Sequence, residues 1–479
     1  MISACSDNLD VEPSYKLNDI NGITNEINAR SAVSGIYSTI ISSSFGGSYF
    51  SKLTARAGFT DWTSSELTNQ FTASSVSYAP WQFPYETVNA SNFAISGIER
   101  LNDDQIDAEL KKELLGEARL LRAWAHLQIF HSFGHWWTND DSDPDGLLFR
   151  DEVVTLANIT KARLNVGDSY LKIYEDLDYA IANAPSFTSS RYMCKEYAKV
   201  VKAKTLLYRA GFNDETTGLD EALTLVNEVL NTSIPGFAMQ GDLAQVYEDS
   251  WDSQENLFSG YLEENNRAGN WASYFYKFSL PFYEGNRNPH TTTETLDAGL
   301  RRGYDWFSVD PRWDVVTGTA WGKRTRETFT FTKVARLGDY GEDNNTSSTP
   351  HKYNTYYFRY PQLYIMKSEL LARTGATITA AIAPINTMRG IRTNPIIPSL
   401  NPTTQQELME SIFKEYFIET FIENESAYFG STRFRDASGA RWIENLRDDG
   451  QLELFRLCYP IPINEINANS LMHQNDQYE

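Results

Sequence analysis

The sequence predicts a mainly α-helical protein in which helices stack in pairs and two long irregular segments interrupt them. Residues 107–133 carry apolar side chains at spacings of three and four, the period of a helix buried along one face. Eight further segments show helical periodicity, and short connections join many of them, as in stacked antiparallel helix hairpins. Residues 44–83 and 232–357 show little of this period and are rich in Ser, Thr, Asn, Gly and aromatic residues.

The helix predicted at 107–133 has the clearest pattern. Gly134 follows its last residue, where a glycine in the left-handed conformation commonly ends a helix. We therefore predict a helix that is capped by Gly134 and buried along one stripe, which consists of Leu110, Leu114, Ala118, Leu121, Ala125 and Ile129.

The other predicted helices lie on both sides of the second irregular segment. Long irregular loops inside a compact protein usually carry function. We therefore expect the helices to form a scaffold and the irregular segments to form the binding site. The predicted helices cover residues 25–43, 84–101, 168–184, 192–211, 219–231, 359–373, 376–391 and 404–423.

The composition limits the classes of ligand. The chain has 479 residues and a formal net charge of −21, which opposes binding to the phosphates of nucleic acids. The same charge disfavours anionic membranes and polyanionic glycans, so neutral ligands are favoured. No run of apolar residues approaches the roughly eighteen that a membrane helix needs.

The cysteines point to two buried thiols and one modified residue. Cys194 and Cys458 have apolar and aromatic neighbours, which is typical of buried thiols. The sequence Ile2-Ser3-Ala4-Cys5 resembles a bacterial lipobox, in which the chain is cut before the cysteine and the thiol is acylated. We expect lipidation at Cys5, which implies a signal segment truncated from the N-terminus and anchoring by acyl chains.

Six sequence motifs stand out, and they run from Tyr85 to Asn92, Glu117 to Gly134, Tyr174 to Ala180, Arg359 to Glu369, Asn386 to Arg392 and Tyr459 to Tyr478. In this order they resemble the motifs of the SusD/RagB family, the outer-membrane nutrient-binding lipoproteins of Bacteroidetes. The resemblance covers essentially the whole chain. Tyr416 departs from it, because the family usually has Arg at this position, and the packing there is left open.

This resemblance implies an all-α fold of the SusD type, an α-α superhelix of four TPR-like helix pairs with a loop-rich ligand-binding subdomain. It implies a surface lipoprotein that captures oligosaccharides and delivers them to a SusC-like TonB-dependent transporter. The alternatives are the same role with peptide cargo, as in RagB-like members, and a TPR-like adaptor that binds only proteins. The expected regions of this single unit are a tether (1–20), an N-terminal helical region (21–231), a ligand-binding excursion (232–357) and a C-terminal helical region (358–479).

Aromatic residues of the irregular segments are candidates for ligand contacts. Flat rings stack on the C–H face of a pyranose, while Asn, Arg and carboxylate groups bind its hydroxyls. The stretch 265–288 concentrates both kinds of side chain and is the favoured site, although core packing explains each aromatic about as well. The candidates are Trp62, Trp81, Trp271, Tyr274, Tyr276, Tyr283, Asn286, Arg287, Trp306 and Trp321.

One acidic loop matches a calcium-binding pattern, although the implied role requires no cofactor. Asp141, Asp143, Asp145 and Glu152 have the spacing at which carboxylates in positions one, three, five and twelve surround Ca²⁺. Phe149 occupies the ninth position, which is usually polar, and no second helix clearly follows. A solvated acidic loop is therefore the alternative to a structural calcium site.

The sequence shows no signature of a catalytic site. Glu415, Glu419 and Glu423 form a stripe with a spacing of four, but the resemblance implies that they belong to the scaffold. His131 and His135 flank a helix end without a third ligand. A glycosidase needs two carboxyl groups about 5–10 Å apart on facing elements, which a sequence cannot show. We therefore expect a binding protein and not an enzyme, with a secreted glycosidase as the third alternative.

Overall fold

The structure is a computed structural model, and it describes residues 22–42, 47–59, 70–261, 305–321, 327–331, 333, 335–336, 352–446 and 453–478. The described chain is mostly helical, which confirms the predicted fold class. The helices of the first half are α1 (Glu26–Ser42), α2 (Gly47–Arg56), α3 (Ala79–Glu99), α4 (Ala108–Phe133), α5 (Val166–Asn183), α6 (Lys195–Phe212), α7 (Leu219–Leu230) and α8 (Leu243–Asp249). Those of the second half are α9 (Trp313–Val316), α10 (Pro361–Arg373), α11 (Ile378–Ile391), α12 (Gln405–Thr420), α13 (Ser426–Arg433), α14 (Trp442–Leu446) and α15 (Ile463–Ala468).

Eight of these helices stack in chain order as four pairs. The pairs are α1 with α3, α4 with α5, α6 with α7 and α10 with α11. Neighbouring pairs contact each other through α3 and α4, α5 and α6, and α7 and α10. This is the predicted superhelix of four helix pairs. Within the described ranges, no helix combines the length and the apolar character that crossing a bilayer requires.

Helix α4 begins at a strong cap and is buried along most of its length. The Asp107 side chain accepts hydrogen bonds from the backbone N–H groups of Glu109 and Leu110, which have no partner inside the helix. All six residues of the predicted stripe are buried. The predicted left-handed cap is wrong, because Gly134 is extended (φ −111°). Glycine is required there for packing instead, since a Cβ atom would lie 2.3 Å from the Phe130 ring.

A buried polar contact holds three of the stacked helices together. Arg122 of α4 donates two hydrogen bonds to the Asp176 carboxylate of α5, both at 2.7 Å, and a third to Asn92 of α3 at 2.8 Å. The Asn92 amide in turn donates to the backbone oxygens of Arg150 and Glu152. Three of the recognised sequence motifs therefore meet at one point of the scaffold.

The segment predicted as irregular at 44–83 contains more helix than its sequence indicates. Helix α2 lies within it, and α3 begins at Ala79, before the predicted start at residue 84. Pro80 explains the earlier start, because proline fits the first turn of a helix, where its missing N–H is not needed.

Among the described residues from 256 to 359, five strands form two small antiparallel sheets, which the sequence did not predict. Strands β1 (Asn256–Tyr261) and β4 (Ala335–Arg336) flank β5 (Lys352–Arg359), while β2 (Thr317–Trp321) pairs with β3 (Glu327–Phe331). Asn256 lies opposite Arg359 in the register of β1 and β5. The chain therefore leaves and re-enters the helical scaffold at adjacent positions, so the segment between them is an excursion with a closed base.

A cluster of charged side chains lies buried at this base, where β1, β5 and the 310–312 turn meet α11 and α12. We call it the buried ion cluster. Its five basic and five acidic groups are balanced, and their side chains are 0–8% exposed. The basic members are Arg312, Lys333, Arg359, Arg389 and Arg392, and the acidic members are Glu255, Asp310, Glu415, Glu419 and Glu423.

Glu419 and Arg359 each bridge several members of the cluster. Glu419 accepts from Arg312 at 2.9 Å and from Arg359 and Arg392 at 3.0 Å. Arg359 also pairs with Glu255 at 2.9 Å and Glu423 at 2.8 Å. Burial alone raises the pKa of Glu419, but the guanidinium groups around it, led by Arg359, outweigh burial and hold that pKa well below its usual range. Glu415 and Glu419 of α12, and Glu423 just after its end, are therefore structural, as the family resemblance implied.

A second buried pair accounts for the position at which the sequence departs from the family pattern. Arg433 of α13 binds the Glu369 carboxylate of α10 with two hydrogen bonds of 2.8 Å. The Tyr416 ring lies 5.1 Å from the Arg433 guanidinium and is 2% exposed. Tyrosine thus fills the site by a cation–π contact.

The two described cysteines have the predicted environment. Cys194 and Cys458 are free thiols, 2% and 0% exposed. Burial raises the pKa of Cys458 to about 12 and that of Cys194 well above its usual value. Both thiols are therefore protonated and unreactive at neutral pH.

We predict that Glu419→Gln lowers the free energy of unfolding by about 3–5 kcal/mol at neutral pH, because it leaves buried guanidinium groups without their counter-charge. The pKa of Glu419 is lowered in the folded state, so its contribution is present above the ordinary carboxyl pKa of about 4.3 and is lost as the pH falls below it. The difference in the free energy of unfolding between the wild type and Glu419→Gln should therefore become smaller in acid. Urea denaturation at pH 7 and at pH 3 measures it.

Glu410→Gln is the matched control, since Glu410 lies on the same helix and pairs with Lys414 at 2.7 Å with both side chains about one third exposed. This exposed pair should contribute less than about 1 kcal/mol. Equal effects of the two substitutions would contradict the structural role of the buried ion cluster.

Candidate functional site

The structure describes three of the ten residues predicted to contact a ligand. These are Trp81, Trp306 and Trp321. Cys5 and the other seven candidates lie outside the described residues, so their assignments stay predictions. The seven are Trp62, Trp271, Tyr274, Tyr276, Tyr283, Asn286 and Arg287.

Trp81 lies in the helical core. Its side chain is 3% exposed and packs edge-to-face on Phe133, with ring centroids 5.1 Å apart, and at a tilt on Tyr85. It belongs to α3, which begins before the predicted position, and this places the residue inside the scaffold and not on a loop. The Trp81 ring is therefore covered by neighbouring side chains and offers no open face to a ligand.

Trp306 connects the returning end of the excursion to the C-terminal helices. Its half-buried ring makes perpendicular contacts with Phe413 and Phe417 of α12 and with Trp442 of α14. The Lys414 ammonium lies 5.3 Å from the ring centroid. These contacts give Trp306 a packing role. Trp321 ends β2, in register with Glu327 of β3.

Two clefts lie beside residues 185–188, which form part of the connection between α5 and α6. The first, the Glu117 cleft, has a volume of about 240 Å³. The second, the Glu228 cleft, has a volume of about 400 Å³, within the range of small-ligand sites. The Glu117 cleft is lined by Arg30, Val33, Ser34, Leu114, Glu117, Pro185, Ser186, Thr188, Tyr192, Met193 and Cys194.

A buried carboxyl group forms part of the wall of the Glu117 cleft. Glu117 is 9% exposed and accepts a hydrogen bond from the Tyr37 hydroxyl, which in turn accepts from the backbone N–H of Met193 at 2.8 Å. Burial raises the pKa of Glu117 to about 7, helped by Glu113 and opposed by the hydrogen bond from Tyr37. The described residues place no basic side chain within ion-pair distance of this carboxyl group.

The mouth of this cleft carries an aromatic ring. Tyr192 is 47% exposed and contacts the Tyr37 ring edge-to-face, with centroids 5.4 Å apart. Ser34, Ser186 and Thr188 add hydroxyl groups to the lining. A carboxyl group that can donate or accept, hydroxyls and one exposed ring are the groups that bind a polar, uncharged ligand.

The Glu228 cleft is less suited to a ligand, because its charged groups already bind each other. Lys199 pairs with Glu228 at 2.7 Å, and the Glu196 carboxylate accepts the backbone N–H of Phe187 at 2.9 Å. A ligand there has to compete with these contacts.

The sequence analysis assigned no role in binding to Glu117, Tyr37 or Tyr192. A signal for Glu117 is present, because it lies between Leu114 and Leu121 on the apolar stripe of α4, where a carboxyl group is out of place. Tyr192 gives no comparable signal, since its exposure depends on how the loop before α6 folds.

The acidic loop at 139–146 is organised by contacts within the protein. The Asp145 side chain is 1% exposed and binds Arg163 at 3.0 Å, while Asp141 binds Arg209 at 2.6 Å. Gly146 is required by packing, since a Cβ atom would lie 2.4 Å from the backbone oxygen of Leu164. A calcium ion held by the predicted carboxylates has to displace Arg209 from Asp141, and it shares Asp145 with Arg163.

His131, noted in the sequence as a possible ligand, is a core residue. It is 9% exposed and packs against the Phe429 ring with centroids 4.8 Å apart. Burial lowers the pKa of His131 to about 3, so its imidazole is neutral at physiological pH.

Two family models match the sequence, one in each half of the chain. The family described as "Starch-binding associating with outer membrane" matches residues 7–205, and the one described as "SusD family" matches residues 282–478. A curated SusD-like protein of Bacteroides ovatus is 23% identical over 200 residues, 37% of this chain. The match spans about a third (34%) of the length of that relative.

Solved structures of the same kind resemble the whole fold. A protein described as a laminarin-binding SusD-like protein superimposes with a TM-score of 0.68 at 17% identity, covering 95% of this chain and 100% of that one. Surface glycan-binding protein A from Bacteroides fluxus gives the same TM-score, identity and coverage. At this identity the likeness establishes the fold.

We predict that Glu117→Gln changes how stability depends on pH. The raised pKa means that the folded protein holds the Glu117 proton up to about pH 7, whereas the unfolded chain releases it near pH 4.5, so the wild type loses stability as the pH rises between these values. The uncharged glutamine has no such loss. Between pH 5 and pH 8, the free energy of unfolding of the variant should rise by up to about 3 kcal/mol relative to that of the wild type, as measured by urea denaturation.

The control for this experiment is Glu109→Gln, two turns earlier on the same helix and exposed. Its effect should stay within about 0.5 kcal/mol at both pH values. Parallel stability curves for the wild type and Glu117→Gln would show that the carboxyl group is already ionised in the folded protein.

Proposed function

The chain belongs to the SusD/RagB family, and on this premise we propose that it is a cell-surface glycan-binding protein that passes oligosaccharides to a SusC-like TonB-dependent transporter. The observation that carries this proposal is the match of residues 7–205 to the family described as starch-binding and associated with the outer membrane. Two proteins of the same fold are described as laminarin-binding and surface glycan-binding, which supports a glycan as the ligand.

The charge and the polar groups of the chain favour an uncharged cargo. A net charge of −21 repels polyanionic glycans at long range, while neutral oligosaccharides are unaffected. Sugar hydroxyls pair with carboxyl and amide groups, and pyranose rings stack on aromatic faces. The irregular stretch 265–288 and the Glu117 cleft both offer these groups.

In the proposed mechanism the protein binds its ligand without catalysing a reaction. The ligand binds non-covalently on a scaffold whose excursion has a closed base, and the protein then covers the transporter while the cargo passes on. No bond is formed or broken, so we infer that the protein is a binding protein and not an enzyme. Acylation of Cys5 tethers it to the outer membrane, on the outer face of the cell.

A ligand screen tests this function. The purified chain without Cys5 is titrated by calorimetry with neutral plant, fungal, host and bacterial glycans and with mixed peptides, and reducing ends are assayed in parallel. Saturable binding of one glycan without release of reducing ends supports the proposal. Binding of peptides alone identifies the RagB-like variant, and release of reducing ends identifies a glycosidase.

For the glycan found in this screen, we predict that Trp271→Ala weakens binding by about tenfold or more, equivalent to about 1.4 kcal/mol, because it removes a stacking surface. The melting temperature should stay unchanged. Leu171→Ala, at a residue 60% exposed on α5, is the surface control and should leave affinity unchanged.

A second variant distinguishes the two candidate positions. If Tyr192→Ala weakens binding and Trp271→Ala does not, the ligand occupies the Glu117 cleft and the prediction for 265–288 is wrong.

A further inference from the structure

We propose that His135, Asp143 and Asp145 form a binding site for a first-row divalent transition metal ion, with Zn²⁺ as the ion that the donors fit best. This site uses two carboxylates of the acidic loop that resembles a calcium site. It differs in its third donor, which is an imidazole nitrogen. One donor atom from each of the three residues lies within 4.8 Å of one from each of the others.

The separation of His135 and Asp145 is that of two metal ligands. The Nε2 atom of His135 lies 3.5 Å from the Oδ2 atom of Asp145, which is too long for a good hydrogen bond. Two ligands at about 2.0–2.2 Å from a tetrahedral zinc ion are about 3.4 Å apart. Within the described part of the chain, this Nε2 atom is buried and has no hydrogen-bond partner. It is therefore an available donor directed at a carboxylate oxygen.

Surrounding contacts hold the Asp145 carboxylate in place. Oδ1 of Asp145 binds Arg163 at 3.0 Å and His473 at 3.1 Å, and Oδ2 accepts the backbone N–H of Asp476 at 2.8 Å. Oδ1 of Asp143 accepts the backbone N–H of Asp145 at 2.8 Å, and Oδ2 lies 3.0 Å from Nδ1 of His135, the ring nitrogen that does not face Asp145. The Oδ2 atom of Asp143 therefore turns from Nδ1 to the ion when it becomes a ligand. Outer contacts such as those of Asp145 orient the ligands of metal sites, and an oxygen that accepts one hydrogen bond has a lone pair left.

The backbone also fixes the loop before any ion binds. His135 N–H donates to the Asp145 backbone oxygen at 2.8 Å, and Val166 N–H donates to that of Asp143 at 2.9 Å. Asp145 is thereby kept beside the end of α4, and Asp143 beside the start of α5. A pre-formed site of this kind loses little conformational entropy when it binds a ligand.

The local charge favours a cation. Two carboxylates, those of Asp143 and Asp145, and one guanidinium, that of Arg163, leave an excess of one negative charge in a largely buried place. A divalent ion more than balances that charge. An imidazole ligand favours zinc and the other first-row transition metals over calcium, which prefers six to eight oxygen ligands. His473, whose side chain is 41% exposed, contacts Asp145 from outside the three donors, so water takes the fourth position on the ion.

The test is metal binding by the full chain, freed of its affinity tag and of metal by a chelator. Zn²⁺ and Ca²⁺ are titrated separately by calorimetry into the wild type and three variants, His135→Gln, Asp143→Asn and Asp141→Asn. We expect the wild type to bind one Zn²⁺, His135→Gln and Asp143→Asn to weaken this at least tenfold, and Asp141→Asn to leave it unchanged. Circular dichroism and melting of the metal-free proteins verify that each variant folds.

Three outcomes overturn the proposal. Absence of Zn²⁺ binding by the wild type shows that the cluster is only a hydrogen-bonded contact. Equal Zn²⁺ affinity in the wild type and His135→Gln places the ion at other histidines. Binding of Ca²⁺ that Asp141→Asn abolishes and His135→Gln preserves assigns the loop to calcium, as its sequence spacing suggests.

Discussion

The buried ion cluster is the constraint on which the arrangement of the second half of the chain depends. Ten charged groups that leave water must each find a partner, since an unpaired buried charge is far more costly than a paired one. Glu255 lies just before β1, where the chain leaves the scaffold, and Arg359 ends β5, where it returns, and the two are joined at 2.9 Å. Both ends of the excursion are therefore held together beside α12. Because the entropic cost of closing a loop grows slowly with its length, the length of the segment between these ends has little effect on the stability of the helices.

The sequence predicted the helices well because helix burial is a local, periodic property. The stripe from Leu110 to Ile129 defines α4 and its buried face without knowledge of any other element. The partners of the charged residues could not be found in this way. Arg312 pairs with Glu415, more than a hundred residues away, and no pattern in either segment reports the other. Gly134 shows another limit of prediction from sequence. Its position after the helix suggested a left-handed backbone, but the structure requires glycine there because a side chain would collide with Phe130.

The candidate site was less predictable for the same physical reason. Trp81 and Trp306 have similar polar and aromatic neighbours in sequence, yet one is a core residue and the other anchors the excursion. Only packing against distant helices decides how much of a ring is exposed. The acidic loop shows the converse, because spacing along the chain singled out Asp143 and Asp145 but could not include His135, which approaches from the end of α4. Glu117 was visible as a carboxyl group in an apolar stripe, but its raised pKa follows from the depth of its burial.

The contacts of Asp145 also have a consequence for how the protein folds. His473 and the backbone N–H of Asp476 bind its carboxylate from 328 and 331 residues further along the chain. Of the partners of this carboxylate, Arg163 is near in sequence, at a separation of 18 residues. Contacts between residues far apart in the chain slow folding. The surroundings of the Asp145 carboxylate are therefore completed only when the C-terminal segment docks beside the first helix pairs.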